Sequence, residues 1–393
     1  MSPTSMDATE APHRERPLAL AIGGLIAMAA AVGIGRFIYT PILPGMIADG
    51  MTPGEAGLVA SANFLGYLAG ALLAATRLFA GSPRGWLLAC LATSATTTAI
   101  MGIVDGLAAW LALRLVGGAA SAVVLVFASA LVLERLGAVG RSGLSAIHFA
   151  GVGAGIAISA AIAAAALAAD LGWRSMWLAG GGVSFAALLA VLALVPEAPR
   201  TEAGTAPAAL RITQRLATLT LAYGLFGFGY VITATFIVTI VRATSAAPSV
   251  EPLVWLAVGL GAIPSVALWT LIGRRFGILE AFAAASLIEA AGVAASVLWA
   301  GAAGALVSAF LLGATFMGIT ALGLIAAREM ADGAGRQAVA MLTAAFGLGQ
   351  IVGPLIAGFG REATGSFLAP SLVAALALLA AAALAWRIRR TKG

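Results

Sequence analysis

Four ionisable side chains lie inside or at the edge of long apolar runs in this sequence: Arg36, Arg114, His148 and Glu289. A charge in hydrocarbon costs about 2.5–3.5 kcal/mol at a helix centre, so residues kept there mark solute pathways, proton relays or paired structural sites. Arg114 follows Leu107 by seven residues, roughly 10 Å in from the end of its run. It either faces a cleft, or satisfies carbonyls or the nearby Asp105 and merely holds its helix. Arg36 comes 18 residues after Leu18, about 27 Å along. That depth places it close to the far interface, where an arginine either binds or only snorkels to water. An arginine is suited to an anion because its planar fork holds both oxygens of a carboxylate and stays charged.

His148, about 10 Å inside its run, can exchange protons near neutral pH or pack as a hydrogen-bonded ring. Glu289 is near the middle of its run, a depth at which a carboxyl is paired or keeps its proton. Arg114, His148 and Glu289 are therefore the candidates for proton coupling. Neutral polar groups in other runs can orient a small solute or tie two helices together. Arg36, Asn63, Tyr67, Arg114, Tyr230 and Gln350 form the candidate substrate-binding set, with Tyr223 beside them. Gly151, Gly153 and Gly155, and again Gly347, Gly349 and Gly353, allow close backbone approach, while Pro354 can kink its run. These seven are candidate conformational positions.

Other chemistries lack their residues. Cys90 is the only cysteine, so an intrachain disulfide and a cysteine metal cluster are both excluded. His13 and His148 are the only histidines and Lys392 the only lysine, which removes a zinc-protease pattern and a Walker A loop. No metal or other cofactor is expected, and the chain does not read as an enzyme. A receptor or scaffold would need a soluble input or output domain, and the longest polar stretch runs only from Pro196 to Arg215.

The elements that must position these residues follow from composition. The 393 residues are 61% hydrophobic and 10% charged, with a mean hydropathy of +1.04. Too little polar surface exists to cover a water-soluble domain. Apolar runs of about twenty residues, the length that crosses a bilayer as a helix, recur along the chain. The runs predict twelve spans, near residues 17–38, 53–77, 85–104, 107–133, 142–168, 174–195, 216–241, 252–272, 279–299, 303–327, 337–359 and 367–386. They are too long and too rich in Ala and Leu for the ten-residue strands of a barrel. The expected fold class is thus all-α integral membrane.

With the N-terminus inside, only Arg174, Arg242 and Arg361 among the 22 lysines and arginines fall in outer loops, and Arg36 and Arg114 lie in or beside spans. All the others fall inside, as cytoplasmic loops require, so both termini are expected in the cytoplasm. The same dispersion explains the isoelectric point near 10.4 without nucleic acid. Met1 to Arg16 reads as a polar tail, and the run from Leu18 as a retained first helix rather than a cleaved signal. Arginine in place of lysine, with abundant Ala and Gly, suggests a GC-rich bacterial genome and hence an inner membrane.

The chain also repeats itself at an offset of about 195 residues. Gly33-Ile34-Gly35 is echoed by Gly227-Phe228-Gly229, Glu134-Arg135 by Arg328-Glu329, and Gly140-Arg141 by Gly335-Arg336. Gly151 and Gly153 match Gly347 and Gly349. Six spans per half give parallel repeats about an axis along the membrane normal, the arrangement of the two halves of major facilitator transporters.

The motifs carry the same resemblance. Gly33-Ile34-Gly35-Arg36-Phe37-Ile38-Tyr39-Thr40-Pro41-Ile42-Leu43-Pro44 resembles the first-helix signature of the YbfB/YjiJ-type subfamily, and Gly347-Leu348-Gly349-Gln350-Ile351-Val352-Gly353-Pro354 its helix-eleven pattern. Arg114-Leu115-Val116-Gly117-Gly118 is similar to the helix-four motif of proton-coupled members. The basic loop signature survives as Gly273-Arg274-Arg275-Phe276-Gly277, whereas its first copy is reduced to Thr76-Arg77-Leu78-Phe79 with Arg84 and no aspartate. The resemblance implies two six-helix bundles, 17–196 and 216–388, joined by a cytoplasmic linker at 197–215 and flanked by tails 1–16 and 389–393. It implies a monomeric secondary transporter that moves a small organic solute by alternating access, with protons as the candidate coupling ion. Spans five and eleven are expected to meet at the interface between bundles. An anionic substrate fits Arg36 and Arg114; a proton-driven exporter of amphipathic drugs or metabolites is the alternative.

Overall fold

The computed structural model describes residues 16–74, 76–197, 210–243 and 249–390. Every regular element among the described residues is helical. The helices are α1 (Pro17–Ala48), α2 (Pro53–Ala74), α3 (Pro83–Ile100), α4 (Leu107–Ala138), α5 (Ser145–Ala168) and α6 (Trp173–Leu194). They continue as α7 (Gln214–Ala243), α8 (Val250–Phe276), α9 (Ile278–Leu298), α10 (Ala302–Glu329), α11 (Gly335–Thr364) and α12 (Leu368–Arg390). The expected tail before Arg16, the middle of the linker and residues 391–393 lie outside the described residues.

Eleven of these helices are long and apolar enough to cross a membrane. The twelfth, α3, has 18 residues and carries Thr93, Ser94, Thr96, Thr97 and Thr98. Several of its hydroxyls fold back on the helix: Thr93 donates to the Ala89 carbonyl at 2.9 Å and Thr98 to that of Ser94 at 2.7 Å. A hydroxyl satisfied in this way loses much of its cost in an apolar setting. Large apolar side chains cover the outside of the molecule, Leu189 and Leu271 among them. An apolar exterior of this extent belongs in lipid.

The first span departs from expectation. It does not stop at Ile38 but runs 32 residues to Ala48, and its middle is not regular. An α-helix from Pro17 to Met28 passes into a π-helix over Ala29–Ile34, a turn follows, and α-helix resumes at Tyr39. Pro41 does not interrupt it, because it falls in the first turn of the resumed helix, where backbone N–H groups have no intrahelical partner to lose. Two glycines permit the irregularity. A Cβ on Gly33 would lie 2.6 Å from Gly155 Cα, and one on Gly35 would lie 2.5 Å from Ser94 Oγ.

Packing in the second half of the chain repeats that of the first with a shift of six helices. Within α1–α6, α2 packs on α4, α3 on α4 and α6, and α1 on α5 and α6. Within α7–α12, α8 packs on α10, α9 on α10 and α12, and α7 on α11 and α12. Contacts between these sets are made chiefly by α5 on α8, α2 on α11 and α1 on α7. Close approach fixes the internal crossings: a Cβ on Gly66 of α2 would lie 1.9 Å from Leu115 O of α4, and one on Gly313 of α10 would lie 2.1 Å from Val258 O of α8.

Candidate functional site

The break in α1 frees backbone groups that a continuous helix would pair. Thr40 N bonds to Phe37 O at 3.2 Å instead of reaching Arg36 O. Arg114, reaching over from α4, takes up the slack: its Nη1 donates to Gly35 O and its Nη2 to Arg36 O, both at 2.9 Å. The guanidinium also lies 5.2 Å from the Tyr39 ring and 5.7 Å from that of Trp177. Of the two uses open to Arg114, the structure shows it engaged with carbonyls.

Arg36 itself is not at an interface. It is 6% exposed, with its guanidinium 4.4 Å from the Tyr67 ring, 4.6 Å from Phe64 and 5.2 Å from Phe37. The continuation of α1 to Ala48 puts this side chain mid-span, where snorkelling is out of reach. No acidic partner faces it among the described residues, and its Nε and Nη2 have no hydrogen-bond acceptor. Those two atoms share one edge of the guanidinium plane. The same edge of Arg242 grips Glu251 elsewhere in the molecule, Nε to Oε1 at 2.7 Å and Nη2 to Oε2 at 2.6 Å.

Opposite this arginine stand rings from the second half. Tyr230 of α7 stacks nearly parallel to Phe316 of α10, at 8° and 5.7 Å, and to Phe346 of α11, at 6° and 5.7 Å. Phe37 bridges the two halves, 6.0 Å from Phe316 edge-on and 6.5 Å from Trp255. The Gln350 Nε2 donates to the Tyr230 hydroxyl, while its Oε1 is buried without a donor. Arg36, Tyr67 and Glu289 all lie within electrostatic reach of the Tyr230 phenol. Arg36, Tyr67, Tyr230 and Gln350 are thus brought together by the fold.

The remaining polar residues are placed apart from one another. Asn63 is tied to α4 through Nδ2 and Arg114 O at 3.0 Å. His148 lies between helices of the first half, its Nε2 3.1 Å from Ser129 Oγ and its Nδ1 against Gly24 of α1. Glu289 is wholly buried in α9, with neither carboxyl oxygen partnered among the described residues. Ser286, one turn earlier, also has a buried unpaired hydroxyl, as do Ser308 of α10 and Thr233 of α7, on helices that pack against α9.

The glycine faces of α5 and α11 do not meet each other as expected. A Cβ on Gly153 would lie 2.5 Å from Ile263 N of α8, whereas Gly151 and Gly155 press on Leu25 O and Ala29 O of α1. Gly347 faces Leu68 of α2, while Gly349 and Gly353 pack on α7. Each helix turns one glycine across the boundary and two toward its own half, because one helix has neighbours on several sides. Pro354 lies inside α11, its carbonyl 2.4 Å from the Cβ that Gly57 lacks.

Hydrogen bonds also cross between the halves, toward the end of the molecule that carries Asp49. Thr40 Oγ1 donates to Ala234 O at 2.8 Å, Ser61 Oγ to Ile351 O at 2.7 Å, Gly54 N to Glu362 Oε2 at 3.0 Å and Trp255 Nε1 to Ser159 Oγ at 2.8 Å. Thr40, Ile351 and Phe37 stood in the sequence only as members of family motifs, and Ser61, Glu362, Trp255, Ser159, Phe64, Phe316 and Phe346 were not singled out at all. A lone serine or phenylalanine in an apolar run looks like any other helix-packing residue, and only the fold tells which ones converge.

The geometry can be set beside known proteins. The family described as uncharacterised MFS-type transporter YbfB matches residues 28–386. No curated protein matches the sequence. Among solved structures, the nucleoside transporter NupG is similar with a TM-score of 0.69 at 16% identity, over 96% of this chain and 99% of that one. A D-xylose-proton symporter gives 0.72 at 15%, over 95% and 97%. A bacterial homologue of the human lysosomal transporter Spinster, inward-facing and unoccupied, gives 0.69 at 14%, over 96% and 98%. At such identities the structures speak for the fold alone; together with the family match across nearly the whole chain, they identify this protein as a member of the YbfB-type family of major facilitator transporters.

Proposed function

We propose that this transporter carries a small organic anion by alternating access, and that Arg36 holds the anion's carboxylate. The observation that carries the proposal is the free edge of the Arg36 guanidinium: two donors, buried and unpaired, in the geometry that accepts both oxygens of a carboxylate. A buried charge without a partner is costly unless something arrives to pair it. The site sits on a broken helix between repeats, which is where transporters of this architecture place their substrates. Nucleosides and xylose, the solutes named for two similar structures, need many hydrogen-bonding groups. Here the polar atoms near Arg36 are few, chiefly Tyr67, Tyr230 and Gln350, and rings make up the rest.

The motion follows from the packing. The repeated contacts support two six-helix bundles, 17–196 and 216–388, joined by a linker at 197–215. Both termini are cytoplasmic by the distribution of basic residues, and the membrane is a bacterial inner membrane. The Asp49 end is then the outer face, and the hydrogen bonds there close the cleft to the outside. Rocking about the glycine contacts Gly153–Ile263 and Gly347–Leu68 would open it.

Coupling to protons is the finer part of the proposal, with Glu289 as the carrier. It is a carboxyl in the bilayer interior with no ion-pair or hydrogen-bond partner among the described residues. His148 is enclosed by its own half and Arg114 is bonded to carbonyls, so both are less free to exchange protons with a cleft. Uptake into proteoliposomes by wild type, Arg36→Lys and Arg36→Gln tests the anion site. Anion uptake lost in the Gln variant supports it. A wild type that prefers cations, or a fully active Gln variant, removes it and favours export of amphipathic drugs.

A further inference from the structure

We infer that the solute is an aromatic monocarboxylate, its ring lying among the side chains that face Arg36; the inference rests on the anion proposal above. Charge sets the first limit. Only one guanidinium edge in this site is free, since Arg114 spends Nη1 and Nη2 on Gly35 O and Arg36 O. A second carboxylate would enter the bilayer interior with no cation to receive it, so dianions are disfavoured.

The lining sets the second limit. Phe37, Phe64 and Tyr67 surround the arginine from one half of the chain, and Tyr230, Phe316 and Phe346 present near-parallel rings from the other. These residues are at mid-span, yet Arg36, Phe64, Phe316 and Phe346 each retain a small accessible surface while adjacent core residues such as Phe226 and Ile319 retain none. A flat ring fits between flat rings, with stacking or edge-to-face contact that a saturated ring of similar size cannot reproduce. Polar atoms are scarce in this wall, so a polyol would leave most of its hydroxyls unsatisfied.

The test uses the full chain in lipid nanodiscs, with binding of benzoate, cyclohexanecarboxylate, benzamide and phthalate measured by calorimetry and by tryptophan fluorescence, Trp255 lying beside Phe37. Benzoate is expected to bind about three- to tenfold more tightly than cyclohexanecarboxylate, the range that aromatic contacts supply. Benzamide and phthalate are expected to bind at least about tenfold more weakly than benzoate, for want of charge and of a second cation respectively. Phe64→Leu should erase the difference between benzoate and cyclohexanecarboxylate while both still outbind benzamide. Equal binding of the two carboxylates, still abolished by Arg36→Gln, overturns the aromatic class and leaves the anion site standing. Equal binding of benzamide and benzoate, unaffected by Arg36→Gln, overturns both. Absence of binding by all four probes overturns the aromatic inference, and the anion site is then judged by the uptake assay alone.

Discussion

Arg114 Nη2 donates to the carbonyl oxygen of Arg36 at 2.9 Å, so one buried arginine holds the backbone on which the other is mounted. The two share a residue type and a place in the bilayer interior, but only one has a free edge. Arg114 braces the broken helix, and Arg36 is the group on which the proposed anion site rests.

From that bond, Arg114→Gln should destabilise the protein and impair transport without Arg114 ever touching solute. Each orphaned carbonyl costs about 1–3 kcal/mol, and two are at stake. Arg114→Lys should recover part of the loss, since an ammonium is a point charge and cannot reproduce the fork that spans both carbonyls. Thermal unfolding in detergent, with the KM and kcat of uptake, checks this. A Gln variant with wild-type stability and transport would show that the carbonyls find other donors.

Glu289→Gln keeps the shape of the side chain and removes its proton chemistry. If Glu289 carries the coupling proton, the variant should still exchange labelled solute across the membrane but no longer accumulate it against a gradient when a pH difference is imposed. Uphill accumulation at the wild-type level in proteoliposomes would assign Glu289 to packing and leave the coupling group elsewhere.

The glycines divide into two kinds. Gly153→Leu would drive a side chain into Ile263 N and Gly259 O across the boundary between halves, both under 3.0 Å from its Cβ. It should slow or trap the transport cycle while the protein still inserts. Gly347→Leu meets only the Leu68 side chain, at 3.0 Å and beyond, and should be milder because that side chain can move. Gly349→Leu collides with Gly224 O and Phe228 N within its own half, so the expected defect is in folding yield. Transport rates normalised to expression separate these outcomes; three equal defects would contradict the division.

Orientation has its own check. Reporter fusions after Lys392 and between Thr201 and Ala209 should both report a cytoplasmic location. A periplasmic signal at either site would break the even number of crossings that the basic residues support.

The sequence by itself determined that this is a membrane-embedded helical repeat protein, because run length, hydropathy and the side on which arginines fall are local or additive properties that need no knowledge of packing. Even the shortest helix, α3, was legible as a helix, although its threonines lower its hydropathy, because they occur within a continuous run. The matched glycines at Gly33, Gly151 and Gly347 announced close contacts, but not with whom. That Gly153 faces α8 while Gly155 faces α1 depends on how a cylinder with neighbours all round is rotated. The roles of the two arginines were likewise decided only in three dimensions. Which one is spent depends on where α1 breaks and on carbonyls 78 and 79 residues away in the chain from Arg114. No local pattern records that distance, because a guanidinium is satisfied by whichever acceptors the fold delivers to it.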